Sequence, residues 1–156
     1  MKALSVRAPW WWAILHCGKD IENRDWYTNF RGTIYLHAGK FWQWGEVEND
    51  LFTIWSILGG SSVHDDLRAH GYDKEKMRAG CGCIVGKVDI VGCCPDSASP
   101  WFFGKYGFQL ANPVAFERPI PFKGALGFFD VPDNFLAKTL EPLGAYRDVF
   151  DADGEQ

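Results

Sequence analysis

Long apolar runs are absent from this sequence, and so are the common motifs that bind phosphate or a dinucleotide. The longest apolar run, at residues 8–15, is far too short to cross a bilayer. No phosphate-binding loop, dinucleotide fingerprint or Gly-x-Ser-x-Gly elbow occurs, which excludes the enzyme classes that those motifs mark. We therefore expect no contact with a membrane and no cofactor.

Cysteine and histidine are few, and neither is spaced as metal ligands are. Cys81-x-Cys83 and Cys93-Cys94 lack the Cys-x-x-Cys spacing of a zinc site, and the four histidines show no ligand spacing. We therefore expect no metal. No cleavable signal is recognisable, and five cysteines without one predict reduced thiols in a cytoplasmic protein.

Length and composition predict one domain with its own core. The chain has 156 residues, of which 47% are hydrophobic and 16% aromatic. Most of the eight Trp and twelve Phe must be buried, because aromatic rings carry large apolar areas. We expect a folded domain over residues 1–140 and an acidic, partly frayed tail over residues 141–156.

The charge is unevenly distributed along the chain. The net charge of −4 argues against a general nucleic-acid-binding surface. Residues 1–40 carry six Lys or Arg and three Asp or Glu, whereas the rest of the chain carries ten and seventeen. The N-terminal part is thus able to attract an anion; a solvated surface without a partner is the alternative.

Short strands are predicted wherever apolar and polar residues alternate. These segments are residues 3–7, 33–38, 80–94, 108–110, 114–116 and 127–131. Repeated glycines in the long segment indicate bends, as at the corner of a barrel. Pro119 and Pro121 make their segment extended but argue against a central strand, because proline donates no backbone hydrogen bond.

Helices are predicted where apolar residues recur at intervals of three and four. One lies between Pro9 and Gly18, and a longer one covers residues 41–58 and is ended by a glycine pair. Residues 61–79 are expected to hold one or two helical turns, and residues 132–140 a final helix. Together the segments predict an α+β domain built on a small, curved β-barrel with flanking helices.

One charged segment stands out among the aromatic residues. Residues 18–24 (Gly-Lys-Asp-Ile-Glu-Asn-Arg) place a lysine, carboxylates and an arginine directly after an aromatic run. Lys19 is a candidate for binding phosphate or stabilising an oxyanion, or for proton transfer if burial lowers its pKa. Glu22 is able to accept a hydrogen bond from the exocyclic amine of a base. The alternative is a salt-bridge cluster of Lys19, Glu22 and Arg24 that braces the fold.

Geometry sets one condition on this segment. In a regular strand, residues 19 and 22 point to opposite faces. Both therefore line one cleft only if Lys19 lies in the turn that follows Gly18.

Further candidates surround the segment. Arg24 and Arg31 are candidate phosphate ligands, or else ion-pair partners of nearby carboxylates. Ser5 and Arg7 lie on the polar face of the first strand and can approach the same cleft. His37 is either a base partnered with a hydroxyl or a structural hydrogen-bonding group. The rings proposed for base stacking are Trp10, Trp26, Trp101 and Tyr106, with a place in the core as the alternative for each Trp.

The ordered set of motifs resembles the ASCH domains of the PUA-like superfamily. The matching segments, in order, are Leu-Ser-Val-Arg-Ala-Pro-Trp at 4–10, Gly18-Lys19-x-x-Glu22-x-Arg24, Trp26, Arg31-Gly32 and residues 34–38, then 82–88, 101–110 and 119–128. The resemblance covers residues 3–132. One departure is that the family commonly shows Gly-x-Lys, whereas Gly18 here directly precedes Lys19.

The resemblance implies a compact PUA-like β-barrel that binds single-stranded RNA, a nucleotide or a modified nucleoside beside the Lys-x-x-Glu-x-Arg segment. Some relatives look like hydrolases that remove an acyl group from the N4 amine of acetylated cytidine with a Thr, a Lys and a Glu. Their Lys matches Lys19, but Glu22 stands where they place the Thr, and their Glu falls near residues 86–89.

Three functions follow as hypotheses. An RNA- or nucleotide-binding domain is the first. The second is an enzyme, either a hydrolase of an N4-acylated cytidine or a metal-independent ribonuclease, with Lys19 and Glu22 as catalytic residues. The third is a protein-interaction module that uses the helix at 41–58, and a contiguous apolar outer face on that helix would support it.

Overall fold

The computed structural model describes residues 1–136 as a small α+β fold with four helices and six strands. The elements are β1 (Lys2–Val6), α1 (Trp10–His16), β2 (Ile21–Arg24), β3 (Gly32–Ala38), α2 (Trp44–Leu58), α3 (Val63–Ala69), α4 (Lys74–Gly80), β4 (Cys83–Cys94), β5 (Tyr106–Pro121) and β6 (Phe128–Asp130). The strands form one curled, half-barrel sheet in the order β2-β5-β4-β3-β1-β6. The predicted α+β class and curved sheet are confirmed. None of the four helices is both long and apolar enough to span a bilayer.

The sheet is buried on both faces. Ile34 and Leu36 of β3 belong to the main core with α1 and α2, whereas Tyr35 between them belongs to a second cluster with Phe116. Each fully buried aliphatic side chain stabilises the fold by roughly 1.5–3 kcal/mol. β1 lies between β3, to which it is parallel, and β6, to which it is antiparallel. The polar residues of β1 are therefore held on a strand that is paired on both sides.

The segment after Gly18 contains a strand, β2, that is not among the strands predicted from the sequence. Gly18 has a φ of +71°, a left-handed conformation that glycine adopts without steric cost. The backbone N–H of Lys19 then donates to the carbonyl oxygen of Ala13 at 3.2 Å, and β2 begins at Ile21. β2 pairs with the start of β5. Sequence periodicity missed it because its buried polar residues are stabilised by mutual pairing, not by alternation.

β5 is one 16-residue strand where the sequence predicted separate pieces. Its register with β4 shifts around Asn112, whose φ is +54°, so the interruption is a bulge and not a break. Pro119 and Pro121 lie in the last part of β5, which is extended and at an edge of the sheet, as predicted. They are tolerated because β2 pairs only with residues 106–109 of β5, which leaves the later part with β4 as its sole partner strand in the described chain.

The ends of the helices differ from the predicted ends, because capping contacts set them and the apolar periodicity does not show those contacts. α2 begins at Trp44 instead of residue 41 because the Gln43 side chain accepts from the N–H of Glu46 at 2.7 Å. The expected helical turns in 61–79 are α3 and α4. Gly80 ends α4 instead of starting β4, and a Cβ there would lie 3.1 Å from the Trp11 ring. Residues 137–140 of the predicted last helix, and the predicted tail, lie outside the described residues.

The outer face of α2 is polar. Its exposed positions include Glu48, Asn49 and Ser56, and Phe52 is a single large apolar residue among them. The contiguous apolar face that would support a protein-interaction helix is therefore absent from α2.

Candidate functional site

A cavity of about 670 Å³ opens where β1, α1, β2 and α2 meet; we call it the cleft. Its lining residues are Ser5, Val6, Arg7, Trp10, Lys19, Glu22, Asn23, Arg24, Asp25, Trp26, Asp50, Thr53 and Phe103. This volume is in the range of pockets that hold small organic ligands. The segment at 18–24 therefore forms part of a concave site.

Seven of the ten predicted ligand residues line the cleft: Ser5, Arg7, Trp10, Lys19, Glu22, Arg24 and Trp26. The structure does not bring Arg31, Trp101 or Tyr106 to it. Arg31 donates to the carbonyl oxygens of Thr28 and Phe30, at 3.0 and 2.8 Å. Trp101 is 5% exposed and belongs to the core. Tyr106, at the start of β5, is the register partner of Arg24 on β2, and its ring does not line the cleft.

Lys19 lies in the turn between Gly18 and β2, so the geometric condition for sharing a cleft with Glu22 is met. Its ammonium donates to the carbonyl oxygen of Ile21 and lies 3.6 Å from Glu22 Oε1. It also lies 5.7 Å from the centroid of the Trp10 ring. Burial lowers the pKa of Lys19, and the charge of Glu22 opposes that shift.

Glu22 is the buried carboxylate of the cleft, with 7% of its surface exposed. Its Oε2 accepts two hydrogen bonds from the Arg24 guanidinium, at 3.1 Å from Nε and 2.8 Å from Nη2. The same Nη2 donates to the Ser5 carbonyl oxygen at 2.7 Å, which ties β2 to β1. The salt-bridge cluster is therefore real, and it also lines a cavity. At 3.6 Å from Lys19, beyond hydrogen-bond distance, Glu22 Oε1 retains the capacity to accept from a ligand.

Helix α2 supplies a second acidic wall that the sequence reasoning missed. Asp50 accepts a hydrogen bond from Trp10 Nε1 at 3.2 Å and lies 3.5 Å from Arg7 Nη2. Burial raises the pKa of Asp50, while Arg7 and the bond from Trp10 oppose the shift. The sequence did contain a signal for this wall, because the polar residues at positions 46, 50 and 53 lie on one face of the predicted helix.

The loop before β5 closes the cleft through a contact between Phe103 and Asn23 of β2. Asn23 donates to the Trp101 carbonyl oxygen at 3.0 Å and accepts from the N–H of Phe103 at 2.7 Å. This clamp places the Phe103 ring, which is 49% exposed, on the cleft lining. Trp26 has a different role: its ring packs edge-on against Phe108 at 5.1 Å and thus forms a wall. No local pattern could have found Asn23 or Phe103, because their contact spans 80 positions.

The charges that line the cleft balance. Three cations, Arg7, Lys19 and Arg24, face three carboxylates, Glu22, Asp25 and Asp50. Each cation already contacts a carboxylate. The cleft is thus better suited to a polar, uncharged ring system than to a bare phosphate.

No metal centre is found within residues 1–136, where no group of three or more His, Cys, Asp or Glu could hold an ion. All five cysteines are free thiols. Burial raises the pKa of Cys17 to about 12, so its thiol is not a nucleophile at neutral pH.

Comparison with known proteins does not settle the family. No protein-family model matches the sequence, and no curated protein matches it either.

Proposed function

We propose that this chain is an ASCH-type domain of the PUA-like superfamily that binds RNA or a nucleotide by taking a base into the cleft. The observation that carries the proposal is the buried Lys19–Glu22–Arg24 cluster on the cavity wall. A structural salt bridge alone would not require a cavity of about 670 Å³ beside it. The ordered motifs of the ASCH resemblance converge on the same residues.

The cluster offers the complementary groups that a base edge requires. Glu22 Oε1 accepts from an exocyclic amine, as carboxylates do with cytosine N4, and the neighbouring Lys19 ammonium donates to a ring nitrogen or carbonyl. Arg24 holds the carboxylate in place from the other side, so little side-chain entropy is lost on binding. Trp10 and Phe103 supply the aromatic faces on which a base stacks.

The paired charges of the cleft determine which part of a nucleotide enters it. Because the three cations of the cleft are paired with carboxylates, the base occupies the cleft and the phosphate stays at its rim. The net charge of −4 further disfavours a long duplex. A mononucleotide or a short single-stranded RNA is the partner that fits both facts.

The test is an equilibrium titration of short single-stranded RNAs and mononucleotides with wild type, Lys19→Ala and Lys123→Ala. We expect Lys19→Ala to weaken binding about tenfold or more, because it removes a charged donor. Lys123→Ala removes the same charge as Lys19→Ala. Because Lys123 lies outside the cleft, the affinity of its variant should stay within about twofold of wild type. Thermal melts verify that both variants fold. Unchanged affinity in Lys19→Ala would show that the site assignment is wrong.

A second candidate function is hydrolysis of an N4-acylated cytidine or of RNA, and the lowered pKa of Lys19 is the observation that favours it. A buried lysine beside a carboxylate is equipped for proton transfer or oxyanion stabilisation. Against the threonine mechanism, Glu22 occupies the place of the nucleophile, and residues 86–89 do not line the cleft. Asp89, for example, accepts from Thr33 and Asn112 instead.

Incubation with N4-acetylcytidine and with single-stranded RNA, in the absence of metal, tests this candidate. Turnover that is lost in Glu22→Ala would support it. Equal rates for wild type and Glu22→Ala would eliminate it.

A further inference from the structure

A second cavity, of about 1060 Å³, also reaches Ser5. Its lining includes His37, Lys40, Lys123 and Gly124 beside Ser5, together with the loop that follows β5. No carboxylate lines it among the described residues, so its two lysines give it a positive character that the cleft lacks. None of its chemistry is used in the function proposed above.

Ser5 and His37 form a hydrogen-bonded pair in this cavity. They are register partners on the parallel strands β1 and β3, and Ser5 Oγ lies 2.7 Å from His37 Nδ1. The hydroxyl partner considered for His37 from the sequence is therefore present. The distance is that of a nucleophile and its general base.

A backbone carbonyl fixes the orientation of the histidine. His37 Nε2 lies 2.7 Å from the carbonyl oxygen of Phe122, which can only accept. Nε2 must then carry the proton, and Nδ1 of the neutral ring is left to accept from the Ser5 hydroxyl. Burial lowers the pKa of His37, against the hydrogen bonds to Phe122 and Gly82, and this keeps the ring neutral at physiological pH. The order hydroxyl, imidazole, oxygen acceptor is that of a catalytic triad.

The backbone of Gly124 packs closely against the pair. A Cβ at this position would lie 2.7 Å from both Ser5 Oγ and His37 Cε1, closer than real contacts allow. Any other residue would therefore crowd the hydroxyl and the imidazole.

We propose that Ser5 and His37 form an acyl-transfer pair, with Ser5 as nucleophile and His37 as general base, that acts on small carboxylic esters in the second cavity. Ser5 Oγ attacks the ester carbonyl carbon while its proton passes to His37 Nδ1. The proton then goes to the leaving alkoxide, which departs as the alcohol, and Ser5 is left acylated. Water, deprotonated by the same Nδ1, attacks the acyl carbon and releases the carboxylic acid and the Ser5 hydroxyl. Lys40 and Lys123 give the cavity the positive charge that favours the anionic intermediate.

The experiment is to incubate the full chain with p-nitrophenyl acetate, follow p-nitrophenolate release, and map acetylation by peptide mass spectrometry. Wild type should become acetylated at Ser5 and turn over. His37→Gln should acetylate Ser5 about a hundredfold more slowly, since a general base contributes on that scale. Gly124→Ala should also suppress it, because its Cβ occupies the approach to Ser5 Oγ. Ser56→Ala, which removes an exposed hydroxyl on α2, is the matched control and should match wild type.

Absence of acetyl-Ser5 in folded wild type would overturn the proposal, and so would equal acetylation in His37→Gln. If His37→Gln does not fold, Gly124→Ala decides, because it keeps both reacting groups; unchanged acetylation of Ser5 in that variant would contradict the proposal. Gly124→Ala also separates the two sites, since we expect it to suppress Ser5 acetylation while nucleotide affinity in the cleft stays within about twofold of wild type.

Discussion

The cleft and the second cavity share one residue, Ser5, and use different parts of it. In the cleft, the Ser5 carbonyl oxygen accepts from Arg24 and helps to hold the charged cluster in place. In the second cavity, the Ser5 hydroxyl contacts His37. Ser5 thus links the paired charges of the cleft to the serine–histidine pair of the second cavity.

The difference between the two cavities lies in how their polar groups are balanced. The cleft holds three cations, each of which contacts a carboxylate, an arrangement that fixes donors and acceptors for recognition. The second cavity holds a neutral serine–histidine pair and two lysines without a lining carboxylate. Its chemistry favours reaction over recognition. Each of the following changes should affect one cavity and spare the other.

Glu22→Gln should have the largest effect. It leaves the Lys19 ammonium and the Arg24 guanidinium without their buried carboxylate, and removing one partner of such a pair costs about 3–5 kcal/mol. We expect a loss of that order in the free energy of unfolding, measured by urea titration. Glu46→Gln, which breaks an exposed pair with Arg7, is the control and should cost about 1 kcal/mol or less. Equal losses in the two variants would show that the cluster is not effectively buried.

Gly124→Ala should have the next largest effect and should act on the second cavity. The added Cβ collides with Ser5 Oγ and His37, so it should lower the free energy of unfolding by about 1–3 kcal/mol. Nucleotide affinity of the cleft should stay within about twofold of wild type. Urea titration and the binding titration measure the two effects. A large loss of nucleotide affinity would mean that the cavities are not independent.

Trp10→Leu should weaken the cleft as a binding site more than it weakens the fold. It removes a stacking face and the hydrogen bond to Asp50 but keeps an apolar side chain. We expect nucleotide binding to fall by about 1–2 kcal/mol, roughly tenfold, as for the loss of one base–aromatic stack. Calorimetric titration measures this change. Trp44→Leu, at the start of α2 and outside the cleft lining, should leave affinity unaltered; a similar loss there would argue against stacking on Trp10.

The smallest effect is a pH dependence of stability caused by Lys19. Its pKa in the folded protein lies below the unfolded value of about 10.4. Between the two values the unfolded chain binds more protons, so stability should rise with pH across that interval. Urea titrations from pH 7 to 10 should show wild type gaining stability relative to Lys19→Met. The difference cancels groups that both proteins share, such as Cys17. No relative gain would mean that burial does not lower the pKa of Lys19.

The sequence predicted the elements whose signal is local. The helix at α1, the strand at β3 and the end of α2 at Gly59 follow from periodicity and from a glycine with left-handed backbone. The sequence did not predict β2, because its buried Glu22 is paired with the half-buried Arg24 and the strand therefore shows no apolar alternation. The full length of β5 was not predicted, because its prolines are compatible with a strand only where one side has no partner. That condition depends on where β2 pairs, which the local sequence does not show.

The candidate site divides in the same way. Lys19, Glu22 and Trp10 were found because they lie close together in sequence and match a family motif. Asp50 comes from α2 and Phe103 from a distant loop, and both reach the cleft only through tertiary contacts. Trp101 was proposed on residue type alone, and type does not separate a core ring from an exposed one.

The most direct test of the central claim is a nuclear magnetic resonance titration of labelled protein with a short single-stranded RNA. We predict saturable shifts of the Trp10 indole N–H and the Asn23 side-chain amide, both in the cleft, with little change at Lys123 or Gly124. Shifts confined to the second cavity, or none at all, would contradict the assignment of the cleft as the nucleotide site.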